Sequence, residues 1–318
     1  MRTRLLGQTG LQVSEIGIGA WQLGGPLVLD GKADGHPDLG AEFVIDLIRR
    51  VGELGVNFID TAEQYGAGES ERRVGRAISG QRSRWIVSTK WGAWQGPNGE
   101  RANDASVARL PHSLEGSLRR LDTDYIDVYL YHVPPADGEA ERAAEHLLRL
   151  KQEGKVRAVG ISTNDLALCK RLHALGILDV VQYAHSMINV PRELLAWQRE
   201  NGVGGIVRGA FAGGRLSGRY FRAPPRFSPD DIRAKWFPDD EAARAAEFAR
   251  YAVFEQWVSP ARTMSQLALR YLLDEPTTHT IILGAKSIAD YERAIAAATL
   301  PPLAEIERAG IEAAVAAL

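Results

Sequence analysis

Two kinds of hydrophobic pattern alternate along the chain. Eight short runs rich in β-branched and aromatic residues, at 16–19, 57–59, 85–89, 125–131, 156–161, 180–182, 205–207 and 280–283, read as buried strands. Between them, apolar residues recur every three to four positions, the spacing of an amphipathic helix. In 41–54 this spacing gathers Phe43, Leu47, Ile48, Val51 and Leu54 on one face, and Gly55 stands where a helix would end. The pattern returns at 106–121, 139–153, 165–175, 191–200, 263–273 and 288–297, and 304–318 reads as one extra helix. Strands alternating with helices of this length imply parallel β-α-β units. Eight such units close more naturally into a (β/α)8 TIM barrel than into an open sheet split between domains. One long insertion, 209–260, separates the seventh strand from its helix, and it carries Pro224, Pro225, Pro229 and Pro238. Connections of that length are usually lids or binding loops.

Composition narrows the class without naming a function. The 318 residues are 45% hydrophobic and 25% charged, which suits a globular protein and excludes a disordered or fibrous one. No linker divides them, so one domain over 1–318 is expected. The single cysteine, Cys169, rules out an internal disulfide, a four-thiolate zinc site and an iron–sulfur cluster. A net charge of −2 gives no reason to expect nucleic acid or an anionic membrane as partner. The basic N-terminus lacks the apolar run of a signal peptide, and no stretch approaches the roughly 20 apolar residues of a membrane span. A cytoplasmic protein acting on a small molecule is the expectation; the pattern does not address oligomeric state.

Familiar nucleotide motifs are missing. Gly17-Ile-Gly19 and Gly66-Ala-Gly68 each lack the third glycine of a Rossmann fingerprint. There is no Walker loop, no His-Glu-x-x-His and no Gly-x-Ser-x-Gly, and the seven histidines have no metal-ligand spacing. Any dinucleotide must be held by another device.

Active sites of such barrels lie at the C-terminal ends of the strands. The second strand ends at Asp60 with Tyr65 in the following loop, the third at Lys90, and the fourth at His132. A phenol with an ordinary pKa near 10 is a poor acid at neutral pH. A neighbouring ammonium favours the phenolate and lowers that pKa, while a carboxylate keeps the ammonium charged and oriented. An imidazole can hydrogen-bond a carbonyl oxygen. Each residue also has an ordinary structural role available, Asp60 as a helix cap and Lys90 as a solvated strand end. Four converging at predicted strand ends outweigh those roles. A tyrosine acid with neither metal nor nucleophile suits protonation of an oxyanion formed by hydride addition, which calls for a nicotinamide cofactor.

The segments carrying these residues resemble the aldo-keto reductase superfamily. The resemblance rests on 56–71 (Val-Asn-Phe-Ile-Asp-Thr-Ala-Glu-Gln-Tyr-Gly-Ala-Gly-Glu-Ser-Glu), 87–90, 122–132 and 154–164, and extends from Leu5 to about Ala297. It implies a (β/α)8 barrel opened by an N-terminal β-hairpin at 1–15, with NAD(P)H extended across the C-terminal mouth. It also implies a tetrad with Tyr65 as general acid/base, Lys90 and Asp60 tuning it, and His132 orienting the carbonyl. Ser162, Asn164 and Gln182 match the family's carboxamide contacts, with Ala20 and Trp21 expected nearby. Gly284, Lys286 and Ser287 match the segment that grips the adenosine 2′-phosphate. Lys286 favours NADPH over NADH, because an ammonium is a point charge suited to phosphate.

Three departures from the family pattern stand out. The residue that completes its phosphate-binding segment is Ala294 here, and Arg208, Gly209 and Phe211 occupy the seventh-strand end, with Arg208 replacing an aromatic that stacks under the nicotinamide. A guanidinium plane can stack on a ring, so Arg208 is expected to do so and to disfavour the oxidised, cationic cofactor. His185 and Ser186 likewise replace the family's Tyr-Asn. Trp21, Trp91 and Trp94 are expected to line the substrate pocket and to suit a flat, aromatic or sugar-like carbonyl compound. The expected activity is NADPH-dependent reduction of an aldehyde or ketone. Alternatives are an aldose or sugar dehydrogenase running with NAD(P)+, and a cofactor-binding regulatory subunit with little turnover, which the intact tetrad opposes.

Overall fold

A computed structural model describes all residues, 1–318. Eight parallel strands close a barrel in sequence order: β1 (Ile16–Gly19), β2 (Phe58–Asp60), β3 (Ile86–Trp91), β4 (Ile126–Tyr131), β5 (Val156–Ser162), β6 (Val180–Ala184), β7 (Gly204–Arg208) and β8 (Thr280–Leu283). Each predicted strand is present to within a residue or two. The (β/α)8 TIM barrel is therefore observed. An antiparallel hairpin, Thr3–Leu5 with Gln12–Ser14, closes its N-terminal end.

Side chains alternate between barrel interior and exterior along each strand. The interior is filled by Phe58, Ile86, Val128, Leu130, Ala158, Val180 and Ile206, and Leu6, Leu11 and Val13 of the hairpin plug its lower end. A much larger cluster packs between the barrel wall and the helices.

Ten helices surround the strands: α1 (Ala41–Glu53), α2 (Glu69–Ile78), α3 (Leu110–Leu121), α4 (Glu139–Gln152), α5 (Leu166–Ala174), α6 (Arg192–Asn201), α7 (Glu241–Ala249), α8 (Met264–Leu273), α9 (Ile288–Thr299) and α10 (Glu305–Ala316). In α1 the buried face contains Val44 and Ile45, whereas Phe43, expected inside, is exposed. Helix α2 is not apparent from hydrophobic spacing, because half its buried face is polar. Ser70, Glu71 and Arg73 lie inside with Val74, Ala77 and Ile78. Thr89 Oγ1 and Arg120 Nε each donate to the Glu71 carboxylate at 2.6 Å. Two small hairpins, Val28–Leu29 with Lys32–Ala33 and Ala93–Gln95 with Arg101–Asn103, rise from the loops after β1 and β3. The 209–260 insertion contains α7 and a 3-10 turn, Ile232–Trp236, that docks on the loop after β1 through Ile232 N donating to Gly35 O at 3.0 Å. No helix is long and apolar enough to cross a membrane.

Candidate active site

The alternation that fills the barrel also builds the site. Two residues beyond inward-facing Phe58 comes Asp60; two beyond Ile86 and then two more come Ser88 and Lys90; Leu130 leads to His132, Val180 to Gln182, and Ile206 to Arg208. The inward side chains thus change from apolar to polar at the C-terminal mouth.

At its centre Lys90 is fully buried, and all three of its N–H groups are used. Nζ donates to Asp60 Oδ2 at 2.7 Å, Thr61 O at 2.8 Å and Tyr65 OH at 3.1 Å. Asp60 Oδ1 accepts from Ser88 Oγ at 3.0 Å and from Gln182 Nε2 at 2.8 Å. Because the Tyr65 oxygen accepts from Lys90, its own proton is left for an acceptor in the cleft. The His132 ring stands edge-on to Tyr65 at 5.6 Å, and the Trp21 indole stacks on Tyr65 at 6.0 Å. The turn after Tyr65 needs glycine: Gly66 has φ +57°, and a Cβ there would lie 2.1 Å from Gly24 O. The strand-end chemistry expected of Asp60, Tyr65, Lys90 and His132 is thus assembled in one place.

Burial sets the protonation states. Burial pushes the Tyr65 phenol up, with Lys90 opposing it, so the expected lowering by lysine does not prevail. Burial also works against the Lys90 charge, but Asp60 and Tyr65 more than compensate and hold it above its ordinary value. Burial, with the positive charges of Lys90, Arg208 and Arg101, presses His132 down to about 3. The histidine is a neutral hydrogen-bonding group, and the phenol rests protonated.

A cleft of about 890 Å³ reaches from Tyr65 past Arg208 and Phe211 to Lys286, Asp290 and Arg293 at the start of α9. Trp21, Gln182, Gly209 and Gly284 also line it. Ser162 Oγ donates to Gln182 Oε1 at 3.0 Å, linking it to Asp60. Lys286 makes no ion pair, whereas Asp290 is held by Arg219 and Arg293.

Five expected residues lie elsewhere or are otherwise engaged. Trp91 is odd where Lys90 is even, so it points outward, fully buried against Tyr129 and Tyr131. Trp94 lies on the hairpin with the Arg109 guanidinium 3.8 Å above its ring, outside the cleft. Ala20 is buried, its carbonyl accepting from Ser70 Oγ at 2.9 Å. Asn164 is exposed and spends its amide bridging β5 to β6, donating to Ala184 O at 2.9 Å and accepting from Ala184 N at 2.8 Å. The Ser287 hydroxyl is taken up in capping α9 and in donating to Asp290 Oδ2 at 2.8 Å. Conversely, the sequence pattern singles out neither Trp236 nor His36, yet both flank Trp21, at 5.8 and 5.1 Å. His36 Nδ1 lies 3.5 Å from Asp231, which ties the loop after β1 to the insertion. An aromatic inside a Pro-rich insertion is the available signal for Trp236.

No group of three or more His, Cys, Asp or Glu residues could hold a metal ion. The fold and the residues at its mouth have counterparts among known proteins. The chain is 30% identical over 297 residues to the aldo-keto reductase YhdN of Bacillus subtilis, covering 90% of this chain and 86% of that protein. It is 30% identical over 313 residues to the NADH-specific methylglyoxal reductase of Escherichia coli, covering 92% of each. The holo structure of aldo-keto reductase AKR11C1 from Bacillus halodurans matches 99% of this chain and 96% of its own, with a TM-score of 0.80 and 29% identity. The model of the Aldo/keto reductase family matches residues 15–316. The chain belongs to the aldo/keto reductase family of oxidoreductases.

Proposed function

We propose that this chain reduces an aldehyde or ketone to the corresponding alcohol with NADPH, Tyr65 delivering the proton. The observation that carries this reading is the saturated Lys90 ammonium, whose third hydrogen bond goes to the Tyr65 oxygen and leaves the phenolic proton facing the cleft. The phenol rests protonated, so its proton is in place when an oxyanion develops on the carbonyl oxygen, and the Lys90 ammonium offsets the cost of leaving a buried phenolate.

The cleft fits an extended dinucleotide: a polar amide, Gln182, near the tyrosine, and an ammonium without an ion pair, Lys286, at the far end. Gln182, its amide oxygen held by Ser162, would meet the carboxamide, and Lys286 with Arg293 the adenosine 2′-phosphate. When bound, the reduced nicotinamide supplies a hydride to the carbonyl carbon. His132, neutral, orients the carbonyl oxygen; Tyr65 protonates that oxygen; Lys90 steadies the phenolate left behind, and Asp60 keeps Lys90 charged. Arg208, which lines the same cleft, would stack beneath the nicotinamide, and its charge would disfavour the cationic, oxidised ring. Trp21 beside Tyr65, and Trp236 beside Trp21, put two aromatic side chains on the wall of the cleft, which suits a flat aromatic or sugar-like substrate.

The test follows loss of the reduced-nicotinamide absorbance over a panel of aromatic aldehydes, ketones and aldoses, with NADPH and NADH in parallel. Turnover faster with NADPH is expected, and Tyr65→Phe should lower kcat by about 10²–10³-fold. Tight NADPH binding without turnover of any carbonyl would contradict the reading in favour of a regulatory subunit.

A further inference from the structure

Glu63 stands two residues before Tyr65 on the same loop, and its side chain turns away from the cleft. It is 6% exposed. Its backbone N donates to Lys90 O at 3.3 Å, and its Oε1 accepts from Gly92 N at 3.0 Å and from Ser113 Oγ at 3.1 Å. The loop of the tyrosine is thereby tied to the strand end that carries Lys90 and to helix α3. Resting on the activity proposed above, we propose that Glu63 is a positioning residue whose ionised carboxylate holds Tyr65 in register with Lys90.

The surroundings make that ionisation easy to reverse. The titratable and charged groups facing Glu63 are Glu71 from α2, Arg109 at the start of α3 and Tyr129 from β4, with Arg120 of α3 facing Tyr129 and Glu71 behind them. Arg109 Nη2 stays 3.8 Å from Oε2, because the guanidinium is stacked on Trp94 and its Nε donates to Ser113 Oγ at 3.1 Å. Arg120 is spent on Glu71. Burial therefore pushes the Glu63 carboxyl up to about 7, with Glu71 reinforcing the shift against the Gly92 hydrogen bond, Arg109 and Ser113. Protonation removes the charge from an oxygen that accepts two hydrogen bonds and adds an O–H facing Arg109, itself a donor. The tether then weakens on the side that holds the loop.

The sign of the effect follows. The carboxylate dominates above neutrality, so kcat for reduction should fall as pH drops through about 7, with KM for the cofactor little changed. Glu63→Gln, a neutral isostere, should lack that limb and run at a flat rate about tenfold below the wild-type plateau. Ser113→Ala, which removes a donor to the carboxylate, should move the limb to higher pH. Two further measurements need no turnover. The Tyr65 ¹³Cζ resonance of tyrosine-labelled protein, assigned with Tyr65→Phe, should titrate near neutrality in the wild type and stay constant in Glu63→Gln. The melting temperature of Glu63→Gln relative to wild type should rise as pH climbs from about 4.5 to about 7 and level off above that, because ionising a buried carboxyl costs stability. A neutral limb that persists in Glu63→Gln, or a Tyr65 resonance that ignores the substitution, would overturn the inference. Absence of turnover with a responsive Tyr65 resonance would instead count against the activity alone.

Discussion

At Lys90 a single methylene chain delivers an ammonium to three acceptors, and the catalytic reading turns on that atom. Lys90→Met would leave Asp60 buried and uncompensated, so it should destabilise the fold by about 3 kcal/mol as well as abolish turnover, measurable by thermal melts beside kinetics. Lys286 has the opposite character. It is half-buried without an ion pair, so Lys286→Ala should raise KM for NADPH about tenfold, leave KM for NADH nearly unchanged and spare stability. Arg208→Tyr should narrow the preference for NADPH over NADP+ in a direct binding assay; an unchanged affinity ratio would remove Arg208 from beneath the nicotinamide. The contrast between Lys90 and Trp91 shows what the sequence can reveal here. A chemically coherent set at strand ends identifies Asp60, Lys90 and His132, because chemistry is carried by residue type. Which neighbour faces the mouth depends on strand parity, and a prediction that Trp91 lines the pocket ignores it.

Elements show the same division between what pattern encodes and what contact decides. The eight strands and most helices are legible because their apolar periodicity matches their burial. Helix α2 is not, since its inner face is satisfied by hydrogen bonds and ion pairs in place of hydrophobic packing. Glu71→Ala would strip Thr89 and Arg120 of their shared acceptor and should cost about 3 kcal/mol, read as a lowered melting temperature. The turn after Tyr65 is equally local: Gly66→Ala forces a side chain into left-handed backbone against Gly24 and should reduce kcat and stability together. The insertion is legible as a lid-like segment, but its docking is not, because the contacts joining Asp231 and Ile232 to His36 and Gly35 connect segments far apart in the chain. Trp236→Ala should raise KM for the carbonyl substrate several-fold, about 1 kcal/mol of lost stacking, without altering KM for the cofactor.

The molecule as a whole places a polar mouth on an apolar barrel, and its pH behaviour follows from what the packing buries. His132, His185 and His279 are pressed by burial to about 3, 4 and 4. Their folded forms resist protons that the unfolded chain would take up below about pH 6.5. Stability from these three groups is present above that pH and is lost as pH falls through about 6 toward 4, which a series of thermal melts would register. Composition and net charge hint at none of this, since they count groups without placing them. The most direct test of the Tyr65 mechanism is isotopic. With reduced cofactor deuterated at both hydrogens of nicotinamide C4, product NMR should find deuterium on the carbinol carbon for the wild type, and almost no product from Tyr65→Phe although it still binds NADPH. Unlabelled alcohol, or Tyr65→Phe forming labelled alcohol at the wild-type rate, would contradict it.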